Sequence, residues 1–270
     1  MNRMQTMAYP SFHKFAMSLA LVVMPAISQK PAPPPVDPQL PAKLKELKGF
    51  VKDRKMAQDF PAIGLIQHLS KGLEAKNPKD QSKIGTALGD IFRTGKVRTG
   101  SKVVLYREAA DALTKLEAGG AKHLLKGAEN KRFKDDLALR AYLTLALGKT
   151  KDPKQISYLI EITTRSRHDE LRAASGQALG YFGDAKITKQ REIVKEIIKA
   201  WGTLESKANE AVSLDPNGPQ NFGPQNARKT LRVAAGKWIS TLQKLTGVSQ
   251  SKFRDWQRWQ NKNKGWKPPK

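Results

Sequence analysis

A chain of 270 residues with 49 Lys+Arg against 24 Asp+Glu carries a formal net charge of +25, and at 39% hydrophobic it can bury a core. The absence of cysteine excludes disulfides, thiolate metal sites, cysteine nucleophiles and a lipid-bearing cysteine anchor. The four histidines, His13, His68, His123 and His168, stand in no metal-ligand spacing, so no cofactor or metal is expected.

Residues 1–28 hold Arg3 and Lys14 and no acid, then the apolar run Phe15–Met24, then Pro25 and the small-residue end Ala26–Ser28. That is the layout of a secretory signal peptide cleaved after Ser28. The run is too short for a membrane helix, which must cross about 30 Å of hydrocarbon. Export to the periplasm or the medium is the expectation. Residues 29–41, with the prolines that follow Lys30, read as an extended linker.

Residues 42–248 read as all-α. Ile193, Val194, Ile197, Ile198, Trp201 and Leu204 fall on one face of a helix, and strand-like alternation is almost absent. Short Gly, Pro and Asp clusters such as Asn77-Pro78 and Gly183-Asp184 punctuate the helices. The acid pairs Asp135/Asp136 and Asp169/Glu170 stand just before helical patterns, where carboxylates cap free N–H groups. Glu192 and Glu196 are expected to pair with Lys195 and Lys199 on a solvated surface. Residues 214–224, rich in Pro, Gly and Asn, read as an exposed loop.

The chain also repeats itself. Leu139, Arg140, Ala141, Ala146, Leu147, Gly148 and Asp152 return as Leu171, Arg172, Ala173, Ala178, Leu179, Gly180 and Asp184, an offset of 32 residues. Looser copies lie around Arg107 and Arg232, with a fragment at Ala87-Leu88-Gly89. Each unit would be two antiparallel helices with small residues at the crossings. The pattern resembles HEAT repeats of the armadillo-like helical class over roughly residues 56–248. With the signal peptide ahead of it, the chain is similar to exported bacterial HEAT-repeat proteins of the planctomycete type. The resemblance implies an α-solenoid of helical hairpins, in which Arg140 and Arg172 with the turn residues Asp152 and Asp184 form an inter-repeat ladder.

Residues 249–270 form a Trp/Lys-rich end. Phe253, Trp256 and Trp259 recur at helical spacing, so one face would cap the array, as terminal repeats require. The contact candidates are its cations and rings: Lys252, Arg254, Trp256, Arg258, Trp259, Lys262, Lys264 and Trp266. Cations interleaved with aromatics suit acidic proteins, anionic polysaccharide or membrane surfaces, and less readily nucleic acid in an exported protein. Catalytic signatures are missing: Gly89 to Lys96 fails the phosphate-loop spacing, and no His-Glu-x-x-His or Gly-x-Ser-x-Gly occurs. The expectation is a non-catalytic scaffold that binds macromolecular partners on a basic surface, with an electrostatic binder of polyanions as the alternative and a helical-repeat enzyme as the least supported one.

Overall fold

The computed structural model describes residues 33–210 and 221–267; the signal-peptide expectation at 1–28, the start of the linker and most of the 214–224 loop lie outside them. Among the described residues there is no strand, and no helix is long and apolar enough to cross a membrane. The helices are α1 Leu40–Lys52, α2 Asp59–Ser70, α3 Pro78–Ile91, α4 Val104–Thr114, α5 Ala118–Ala128 and α6 Leu137–Lys149. They continue as α7 Ile156–Arg165, α8 Asp169–Ala178, α9 Ile187–Ala208, α10 Gly223–Thr246 and α11 Phe253–Lys262.

Several boundaries follow from single residues. Asn77 accepts from the Lys79 N–H and Pro78 opens α3, where a missing N–H costs nothing. The Asp136 carboxylate accepts from Leu139 N–H and caps α6, as its position suggested. Gly247, at φ 72°, ends α10 in the left-handed region that glycine enters without strain. α1 starts at Leu40, earlier than the sequence suggested, because Pro41 is tolerated in a first turn. The residues before it are docked, not free: Asp37 N–H donates to Asp80 at 2.8 Å and the Asn77 amide to Pro34 O at 2.8 Å.

Packing follows chain order. Successive helices pair as α1 with α2, α3 with α4, α5 with α6, α7 with α8 and α9 with α10. The even-numbered helices neighbour one another from α2 through α10, while α1 packs on α3, α3 on α5, α7 on α9 and α9 on α11. One hydrophobic core runs through these contacts, with the apolar face of α9 (Ile193, Val194, Ile197, Ile198, Trp201, Leu204) buried in it as expected. Full burial of each such side chain contributes about 1.5–3 kcal/mol.

The Ala-Leu-Gly copies mark close crossings. A Cβ on Gly148 would stand 2.6 Å from the Ala178 methyl and carbonyl, so α6 meets α8 backbone to backbone. Gly148→Ala is therefore expected to destabilise by about 1–3 kcal/mol through overpacking, outweighing alanine's helix-propensity advantage of about 1 kcal/mol. Gly236, with nothing within 4 Å of its Cβ direction, is the control: Gly236→Ala should gain stability. Urea denaturation of the two variants measures the difference in sign.

The arginine ladder takes a different form from the one expected. Arg140 Nε donates to Ala128 O at the end of α5 (3.0 Å), and Arg172 donates to Thr163 O and Thr164 O in the last turn of α7 (3.0 and 2.8 Å). A third copy is Arg228, which reaches Ala208 O at the end of α9 at 2.9 Å; the sequence had pointed to Arg232, one turn later and exposed. The reason is electrostatic. The final carbonyls of a helix lack intrahelical donors and carry the negative end of its dipole, so a neighbouring guanidinium is drawn there. The aspartates are otherwise engaged: Asp152 accepts from Lys154 N–H and the Gln155 amide, and Asp184 pairs with Lys151 at 2.9 Å on the surface. Arg107 stacks over the Tyr142 ring at 5.3 Å.

Two tyrosines give the fold an alkaline edge. Burial pushes the Tyr158 hydroxyl from 10.0 up to about 12, and burial with the 2.6 Å bond to Asp111 raises Tyr142. A raised folded value favours the neutral form, so this stability is whole below pH 10 and is lost as pH climbs towards 12. Tyr158→Phe should flatten that decline in denaturation midpoints taken across the range.

Candidate functional site: a cationic groove between α9 and α11

α11 presents Phe253, Trp256 and Trp259 to the rest of the chain, on the spacing the sequence showed. Phe253 lies 5.9 Å from the Trp201 ring and over Gly202, where a Cβ would stand 2.8 Å from its ring. Trp256 is fully buried and its indole N–H donates to Gln250 O at 3.2 Å. Trp259 stands edge-on to Trp256 at 5.7 Å, and Trp266 follows at 5.8 Å. Arg191 of α9 ties down the segment after α11, donating from Nε to Trp266 O (3.0 Å) and from Nη2 to Gly265 O (2.8 Å).

This packing leaves a groove of about 710 Å³ between α9 and α11. Arg191, Lys195 and Lys199 form its α9 wall, and Lys264 adds a fourth cation. Gln257, Gln260, Asn261 and Asn263 line the opposite side, with Ile198, Phe253 and Trp266 as the apolar part. Among the described residues, no carboxylate lines it. The expected pairing of Glu192 with Lys195 does not form, because Glu192 accepts from Lys189 at 2.7 Å. Among the described residues neither Lys195, Lys199 nor Lys264 has a carboxylate within salt-bridge distance.

No family model matches the chain, and neither does any curated protein or solved structure. The site is therefore read from its own chemistry.

Of the contact candidates, the structure brings Lys264 and Trp266 into the groove. Trp256 is corrected from contact to core: a fully buried indole with its N–H satisfied offers a ligand no surface. Trp259 is half-buried between two other indoles. Lys252, Arg254, Arg258 and Lys262 are exposed, with Arg254, Arg258 and Lys262 on a separate stripe of α11 and Arg258 3.8 Å from Asp255. Sequence reasoning missed Arg191, Lys195 and Lys199. Their helical register was legible, but the helix that forms the other wall is distant in sequence.

A second groove of about 500 Å³ lies between α1 and α3. Its floor is Leu44, Leu47, Val51 and Ile91, and its rim mixes Lys45, Lys48 and Lys83 with Asp90. The carboxylate in that rim makes it the weaker site for an anion.

Proposed function

We propose that the chain is an exported, non-catalytic scaffold: a HEAT-like α-solenoid that holds acidic protein partners on a basic surface. The observation that carries this reading is the α9–α11 groove, whose lining among the described residues has four cations, four side-chain amides and no carboxylate. Such a surface attracts acidic partners and speeds their encounter. The solenoid reading is supported by the packing order, in which the main helix–helix contacts join helices no more than two apart in the chain, and by the 32-residue repeat carried on α6 and α8. Export rests on the layout of residues 1–28.

The net charge of +25 supports a second reading, in which the chain binds polyanions such as acidic glycan, an anionic membrane surface or nucleic acid by charge alone. Affinity capture with residues 29–270 from an extracytoplasmic fraction separates the two. A defined protein retained through high salt supports the scaffold, because buried contacts resist screening. Recovery of polyanions alone, all stripped by salt, supports the second reading.

A further inference from the structure

We infer that the α9–α11 groove is the seat for an acidic peptide in extended conformation, a proposal that rests on the reading of the chain as a scaffold for acidic protein partners. The spacing of the cations points to it. Arg191, Lys195 and Lys199 succeed one another every four residues on α9, a rise of about 6 Å per step at 1.5 Å per residue. An extended peptide presents alternate side chains on one face about 6.6 Å apart. A Glu-x-Glu-x-Glu segment therefore places successive carboxylates close to successive α9 cations. The span from Arg191 to Gly202 is about 17 Å, which five extended residues fill.

The opposite wall completes the match. Gln257, Gln260, Asn261 and Asn263 each offer a donor and an acceptor, which is what the unpaired N–H and C=O groups of a single extended strand require. The walls are held in place before any ligand arrives. Arg191 clamps the carbonyls of Gly265 and Trp266, and Phe253 is wedged beside Trp201. The clamp uses Nε and Nη2 of Arg191, so Lys195, Lys199 and Lys264 supply most of the available charge. The aromatic rings favour a peptide over single-stranded nucleic acid. Phe253 and Trp266 are half-buried and each leans on another ring, tilted by 44° and 50°, so neither stands free as a stacking platform for a base.

Fluorescence anisotropy with four labelled probes tests this on the residue 29–270 chain. The probes are Glu-Ser-Glu-Ser-Glu, the equally charged Glu-Glu-Glu-Ser-Ser, a sulfated oligosaccharide and an oligothymidylate. The alternating peptide is expected to bind at least about fivefold more tightly than the block peptide, since register and not charge alone decides. Lys195→Glu with Lys199→Glu should weaken it by at least about tenfold, while Lys149→Glu with Lys237→Glu, the same charge change at exposed sites outside the groove, should cost less than about threefold. Equal binding of the two peptides, or equal loss in the two double variants, overturns the proposal. So does tighter binding of the oligosaccharide or the oligothymidylate. Equal binding or equal loss leaves an acidic protein partner in place, whereas preference for the oligosaccharide or oligothymidylate favours the polyanion reading; failure of every probe to bind at low salt removes the scaffold reading as well.

Discussion

Replacing Arg98 with alanine is expected to destabilise the protein by about 3–5 kcal/mol, the range for removing one partner of a buried ion pair. Arg98 has no exposed surface, and its side chain ties three separated segments together. Nη2 and Nε bond the Asp59 carboxylate at the start of α2 (2.8 and 3.2 Å), Nη2 also reaches Val51 O in α1, and Nη1 reaches Lys96 O. The backbone N–H of Arg98 donates to the Tyr106 hydroxyl of α4 at 3.2 Å. Alanine would leave the Asp59 carboxylate at the same spot without a counter-charge, and its desolvation would be uncompensated. Gly95 makes the arrangement feasible: at φ 70°, a Cβ there would lie 2.2 Å from Val51 O. Urea denaturation gives the number. A loss under about 1 kcal/mol, the range of a surface pair, would show that the bridge does not hold the α1–α2–α4 corner.

The second large effect is expected at Trp256. Truncation of a fully buried indole to alanine costs about 3–5 kcal/mol through lost burial and the cavity left behind. It also removes the N–H bond to Gln250 O and one side of the indole train through Trp259 to Trp266. Because α11 packs chiefly on α9 at the end of the chain, the loss should be local. Amide exchange protection is expected to vanish from residues 253–262 in Trp256→Ala while α6 and α8 keep theirs. Loss of protection throughout the chain would show instead that α11 is needed by the whole fold. Either way the groove loses one wall, and affinity for an acidic ligand should fall with it.

What could be read from the sequence was what local spacing determines. The apolar register of α9, the inward packing of Phe253 and burial of Trp256, the capping role of Asp136 and the equivalence of α6 and α8 all depend on residues a few positions apart or on a repeated pattern. Arg98 was not legible, because its partners lie 39 and 47 residues away and an arginine beside glycines reads as a solvated loop residue. The arginine ladder was half legible. Arg140 and Arg172 do play the same part, but the acceptors are helix-terminal carbonyls, which side-chain patterns do not display. The groove needed both α9 and α11, whose meeting is a matter of tertiary packing. Lys195 and Lys199 looked neutralised by neighbouring glutamates, but Glu192 turns to Lys189 and Glu196 pairs with neither lysine, which leaves both open.

A hydrogen-exchange footprint of the chain, taken with and without a saturating acidic peptide, tests the groove most directly. Added protection is expected to be confined to residues 191–202 and 253–266. Protection centred on α1 or α10, or protection spread evenly over the surface, would contradict a groove-based interaction and favour binding by bulk charge.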